Sequence, residues 1–209
     1  MHPVLKSLIS GFSFSGNLRE DVPAFLIFHA CPKTAAHSRS VVEKARQLAA
    51  RFELDAARAE AAAWLHDISA VFPNDKRLEI SEQLGLEILP QEAQVPLLLH
   101  QKISAVMAEK IFGIHNTTGI LDAIRCHTTL KSNPTTLEML VFASDKLAWD
   151  QKGVPPYQAE MQAALATSAG SGGMGVSALS VAQRQSQGDP SLDAGVLSRV
   201  ESQIRIRVK

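Results

Sequence analysis

No apolar run in this chain of 209 residues approaches the ~18 residues needed to span a bilayer. Residues 1–16 are too broken by Ser and Gly to resemble a signal peptide. Cysteine is scarce: Cys31 and Cys126 stand far apart with no CxxC spacing. They read as reduced thiols of a cytoplasmic protein, their pairing left open. Charge of one sign is also missing, since Lys plus Arg and Asp plus Glu both number 21. Without a basic stripe, a footprint for duplex nucleic acid is not expected. A nucleotide needs only a local cation or a metal, so neutrality leaves it open. There is no GxxxxGK[ST] loop, no GxGxxG after a strand and no GxSxG elbow, and nothing marks a nucleophile. No period-two alternation competes with the helical periods.

What the chain does have is a hydrophobic fraction of 45%, enough for the core of one domain, or of one domain with an appendage. The pattern predicts an all-α fold. Thr34 is expected to cap a helix with the stripe Val41, Ala45, Leu48, Ala49 and Phe52, and Asp55 to cap the next. A short helix over residues 76–84 should stop at Gly85. Pro96 should open or interrupt the segment holding His100, and Gly113 should end the helix that follows. Thr117 or Thr118 should start a helix carrying Ile120, Ala123, Ile124 and His127. Thr135 and Glu138 form a capping-box pattern ahead of Val141 and Asp145. A last helix should follow Pro155-Pro156 and run to about Ala166. From Thr167 the run Ser168-Ala169-Gly170-Ser171-Gly172-Gly173 reads as flexible linker. The expected division is an N-terminal extension over 1–20, a domain over 21–166 and a Gly/Ser-rich tail over 167–209.

His66-Asp67 lies inside the apolar run Ala63-Trp64-Leu65-His66-Asp67-Ile68, with His37 before it and His100, His127 and Asp145 after it. Packing alone would not ask for such a pair. Imidazole suits Zn, Fe, Mn and Ni, and carboxylate suits harder cations and bridges two ions well. Adjacent helical residues point roughly 100° apart, so both could reach an ion beside the helix. His37 lies four before Val41, His66 four after Ala62, His127 three after Ile124 and Asp145 four after Val141. These spacings turn four polar groups inward from four helices. A buried carboxylate needs a partner, and a metal is one common remedy.

Taken singly, a histidine on an apolar face is more often a hydrogen-bonded core residue. The ordered set favours metal for His37, His66, Asp67 and Asp145. His100 and His127 could bind metal, bind phosphate or merely pack. His2 reads as part of a mobile terminus, His115 as a loop residue and His29 as the end of a short helix. Arg125, Lys131, Lys146 and Lys152 default to a solvated face, with a phosphate-facing cluster as the second reading.

The chain resembles the HD-domain superfamily of metal-dependent phosphohydrolases over residues 21–166. Within it the chain looks like the YqeK-type bacterial branch of symmetrical bis(5′-nucleosyl)-tetraphosphatases. The resemblance rests on Cys31-Pro32-Lys33-Thr34-Ala35-Ala36-His37-Ser38, Ala63-Trp64-Leu65-His66-Asp67-Ile68, Leu97-Leu98-Leu99-His100, Ala123-Ile124-Arg125-Cys126-His127-Thr128-Thr129 and Ala143-Ser144-Asp145-Lys146. It implies a helical bundle around a buried His/Asp site, holding a mono- or di-nuclear iron centre, with Mn or another divalent transition metal as substitutes. It further implies hydrolysis of diadenosine tetraphosphate to two ADP, with Asp67, His100 and His127 catalytic. His37, His66, Asp67 and Asp145 would be primary ligands, and Asp67 would bridge if a second ion sat at His100 and His127. His100, His127 and Thr128 would also contact substrate phosphates. Protonated His100 or His127 would offset charge on the departing nucleotide, with Lys146 and Lys152 behind them. Where the family often has a phosphate-holding arginine, this chain offers Gln151 and then Lys152. Two other readings are a nucleotide sensor without turnover and a di-iron oxygenase of the same fold. A homodimer stays open.

Overall fold

The computed structural model describes residues 1–150, 153–155 and 157–168. Lys152 and the segment from residue 169 onward lie outside them. Among the described residues every regular element is helical. Ten α-helices follow in order: α1 Pro3–Ile9, α2 Leu18–Phe28, α3 Pro32–Arg51, α4 Ala56–Leu65, α5 Arg77–Gln83, α6 Pro90–Gln94, α7 His100–Lys110, α8 Ile120–Arg125, α9 Thr136–Leu147 and α10 Gln158–Ser168. None is long and apolar enough to cross a membrane.

The longest, α3, is the spine. It packs on α2, α4 and α9, while α8 joins α7 to α4 and α9. Its stripe Val41, Ala45, Leu48 and Ala49 is buried as the 3.6 period requires. The helix starts two residues before Thr34, however, with Pro32 in the first turn and Cys31 as the flanking residue. Proline suits that position because its missing N–H would be unsatisfied there anyway. Thr34 is instead buried inside the first turn.

At α8 the start also moves: Thr117 and Thr118 lie in a 3-10 turn, Asn116–Thr118, and Gly119 at φ 74° precedes the helix, whereas Asp55, Gly85, Gly113 and Thr135 cap where expected. The Asp55 carboxylate accepts from Arg58 N at 3.0 Å, and Gly85 and Gly113 adopt φ of 66° and 70° after their helices. The capping box of α9 is complete: Thr135 Oγ1 accepts from Glu138 N at 3.3 Å, and Glu138 Oε2 accepts from Thr135 N at 2.8 Å. Thr135→Ala should therefore cost about 1 kcal/mol. For a domain of this size that is roughly 2–4 °C in Tm, read by thermal unfolding.

Two elements were not anticipated, α6 and α1. The N-terminal segment, expected to be an extension with a mobile His2, is built into the core. His2 Nδ1 accepts from Val4 N at 3.3 Å, and Leu5 is fully buried. Phe12 packs edge-on against Phe25 at 5.2 Å between ring centroids. The turn leading into α2 is tied down by Asp21, whose carboxylate accepts from Ser15 N and Gly16 N at 2.7 and 2.9 Å. A short amphipathic segment with one buried leucine leaves too weak a period to recognise.

Candidate metal centre

Six residues from five places in the chain meet at one point of the core. His37 comes from the second turn of α3 and Asp145 from the last turn of α9, as their spacing predicted. His66 and Asp67 do not continue α4. The helix ends at Leu65, His66 is its C-terminal cap, and Asp67 has left helical geometry at φ −110°, ψ 19° before a 3-10 turn, Ile68–Val71. His127 likewise stands two residues beyond α8, and His100 opens α7 after the 3-10 turn Pro96–Leu99.

One local device explains these positions. His66 Nδ1 donates to Ala63 O at 2.8 Å, His100 Nδ1 to Leu97 O at 2.7 Å, and His127 Nδ1 to Ile124 O at 2.8 Å. At the ends of α4 and α8 a histidine three residues on can satisfy a terminal carbonyl, and before α7 the His100 ring shares the Leu97 carbonyl with its own backbone N–H. A carbonyl only accepts, so each Nδ1 carries the proton and each neutral ring presents a bare Nε2. Such an outer hydrogen bond is the usual way a ligating histidine is oriented.

Those three Nε2 atoms converge on Asp67. Its Oδ2 lies 3.5 Å from His66 Nε2, while its Oδ1 lies 3.5 Å from His100 Nε2 and 3.4 Å from His127 Nε2. On the other side His37 Nε2 stands 3.0 Å from Asp145 Oδ1, which is 3.7 Å from His66 Nε2. Two groups of potential ligands result, His37–His66–Asp145 and His66–Asp67–His127, each with its donor atoms within 4.8 Å of one another. The two oxygens of Asp67 thus face different histidines.

The donor set fits a divalent transition metal on its own chemistry. His66 Nε2 is buried without a hydrogen bond. His100 Nε2 and His127 Nε2 face each other at 3.0 Å, although neither neutral ring has a proton there to share. Buried lone pairs aimed at one another are unfavourable unless a cation or proton lies between them.

Electrostatics agree. Burial would raise the Asp67 carboxyl, whereas positive charge at His66, or any cation facing the same imidazoles, holds it well below the ordinary range. Burial lowers the His66 imidazole against the pull of Asp67. Burial, with His127 beside it, pushes His100 down to about 3. This environment favours the neutral His100 ring, whose Nε2 then offers a lone pair.

Around this centre Thr128 Oγ1 lies 3.0 Å from His100 Nε2. Lys146 Nζ pairs with Asp145 Oδ2 at 3.1 Å, so its charge is engaged at the site's edge. Arg125 pairs with Asp122 and Lys131 with Glu138, which places both on the outer face.

Sequence reasoning missed two residues here. Gln101, next to His100, accepts from Thr128 N at 3.2 Å and donates to Thr129 Oγ1 at 2.9 Å, fixing the His-Thr-Thr segment. Arg77 is 2% exposed, and its charge is felt at Asp67 and His100. An arginine after Pro73-Asn74-Asp75-Lys76 reads as a solvated charge, and no local pattern reveals its burial. Gln101 had a signal, since it follows a motif histidine on a buried helix.

Comparison with known proteins agrees with this geometry. The HD domain model matches residues 34–150, more than half of the chain, and the chain belongs to that family. A Lactococcus lactis subsp. cremoris protein described as uncharacterized, in the pepC 5′ region, is 44% identical over 101 residues, 48% of this chain and 51% of that protein. The Bacillus subtilis symmetrical bis(5′-nucleosyl)-tetraphosphatase is 32% identical over 111 residues, 52% of this chain and 58% of the enzyme. The matched region thus spans a little over half the length of these relatives. A Clostridium acetobutylicum structure described as a predicted HD superfamily hydrolase involved in NAD metabolism superimposes with a TM-score of 0.63 at 25% identity, covering 72% of this chain and 78% of that one.

Proposed function

We propose that this chain is a metal-dependent phosphohydrolase that cleaves diadenosine tetraphosphate symmetrically to two ADP. The observation that carries the reading is the Asp67 carboxylate, ionised and turned by its two oxygens toward separate imidazoles. The relative named for symmetrical tetraphosphatase activity supports the substrate.

His37, His66, Asp67 and Asp145 would hold the first ion, and His100 and His127 would complete a second position that shares Asp67. Iron is the first choice, with Mn or another divalent transition metal as substitutes, because mixed imidazole and carboxylate donors suit these ions. When bound, such an ion acidifies water and polarises a phosphoryl oxygen. Asp67, ionised near neutral pH, orients the attacking water by accepting its hydrogen bond. Water adds to one of the two central phosphorus atoms, its protons passing to solvent as both products leave ionised, and the central P–O bond breaks. The electron pair leaves with the oxygen of the second ADP. Thr128 Oγ1, which lies 3.0 Å from His100 Nε2, donates to a phosphoryl oxygen. Lys146 at the rim, with Lys152 in the neighbouring sequence, supplies positive charge for the polyphosphate.

The test is to incubate the iron-loaded full chain with diadenosine tetraphosphate and separate products by ion exchange. ADP as sole product is the expected result. ATP with AMP would overturn symmetrical cleavage. No cleavage by protein of confirmed metal content would overturn the hydrolase reading, and oxygen uptake without hydrolysis would favour oxygenase chemistry.

A further inference from the structure

Arg77 is the first residue of α5, and burying a guanidinium this completely is expensive. Burial pulls it down to about 10, with the Asp67 charge acting against that fall. No ion pair of Arg77 with a carboxylate occurs among the described residues, so something other than a salt bridge holds it there. Its Nε donates to Asn74 Oδ1 at 2.8 Å and its Nη1 to Ser69 Oγ at 3.2 Å.

Ser69 is a hub with every position filled. Its hydroxyl donates to His100 O at 2.8 Å and accepts from Arg77 Nη1 and from Ser104 Oγ, the latter at 2.9 Å. Its backbone N–H donates to Ser104 Oγ at 3.1 Å. A hydroxyl offers one donor and two acceptor positions, and all three are used. Ser69 stands two residues after Asp67, in the turn that packs on α7, and α7 begins with His100. The guanidinium therefore clasps the loop of Asn74, the turn behind Asp67 and the start of α7.

We propose that Arg77 is a positioning residue of the metal centre: through Ser69 it fixes Asp67 relative to His100. The proposal rests on the reading of Asp67 as a metal ligand. Asp67 has left the helix and cannot rely on a backbone ladder to hold its direction, so the turn behind it must be pinned by side chains. Arginine suits this because its planar fork makes two directed bonds at once, which a lysine point charge cannot. Fixing a carboxylate among three imidazoles is the kind of outer support whose loss typically costs 10–100-fold in metal affinity or activity.

The experiment compares full-length wild type with Arg77→Met, Ser69→Ala and the double variant. Manganese affinity is measured by competition with a chelating indicator, and kcat and KM are measured on diadenosine tetraphosphate. Arg77→Met should weaken manganese binding by about 10–100-fold and lower kcat, with KM little changed. Ser69→Ala should reproduce most of that loss. The double variant should be hardly worse than Arg77→Met, because both changes cut one linkage. A lower Tm with unchanged manganese affinity in both single variants would reduce Arg77 to a stability role and overturn the proposal. Raised KM with unchanged metal affinity would also overturn it, making Arg77 a substrate contact. If Arg77→Met fails to fold, Ser69→Ala decides alone. If wild type binds manganese but does not cleave the dinucleotide, the hydrolase reading falls while the affinity comparison still decides this one.

Discussion

Asp67→Ala should yield a folded protein that neither retains metal nor hydrolyses substrate. Three imidazole Nε2 atoms stand 3.4–3.5 Å from its two oxygens. Removing it takes away the carboxylate that the three imidazoles share, and a divalent cation loses much of the charge that offsets its own desolvation. A bound metal contributes several kcal/mol of transition-state stabilisation, and each 1.36 kcal/mol is a decade, so turnover should fall by about three decades or more. Asp67→Asn, which keeps the shape and removes the charge, should behave alike. Metal content by elemental analysis and turnover by product chromatography check this, with circular dichroism reporting the fold. Helicity should persist, because Leu65, Ile68 and Leu99 around the site are buried without reference to the ion. Full metal content and full turnover in Asp67→Ala would remove the basis for the site.

The contrast between His37 and His66 shows how much of this centre could be read in advance. His37 lies mid-helix, one turn before Val41, so the 3.6 period reports its direction faithfully, and the same holds for Asp145 after Val141. His66 also follows an apolar stripe, but its ring terminates the helix by taking the Ala63 carbonyl. Periodicity reports which face is apolar. It does not report where the backbone ladder stops when the capping group is the functional side chain itself. The inward direction of His66 and His127 was therefore legible and their helical setting was not. Thr135 with Glu138 and Asp55 were legible because a cap and its partner sit three residues apart. Arg77 could not be found that way. Its partner Ser69 is eight residues away across a loop, and its burial depends on α7 arriving from further along the chain. Only the assembled core shows that this charge is inside.

The pair His100 and His127 carries the second large effect, and it separates a two-position centre from a single one. Both Nδ1 atoms are committed as donors to backbone carbonyls, so in neutral rings the Nε2 lone pairs meet at 3.0 Å with nothing to bond. Thr128 can donate to one of them, which still leaves the other. Packing alone would favour turning one ring away, whereas a cation in front of both would stabilise the arrangement. His127→Ala removes one member of the His66–Asp67–His127 group and leaves His37–His66–Asp145 whole. The expected result is one equivalent of metal per chain where wild type holds two, with turnover lower by about two decades or more, since one ion's share of charge stabilisation is lost. His37→Ala should strike the other group instead, so the two variants should differ in which equivalent a chelator strips first. Metal titration monitored by elemental analysis, alongside turnover, reads both. Unchanged stoichiometry and turnover in His127→Ala would mean that the ring only packs, and a single ion in wild type would overturn the second position. The orientation of these rings is costly to maintain without a ligand, and the Nδ1 anchors that hold them keep both Nε2 atoms facing inward in advance of any ion.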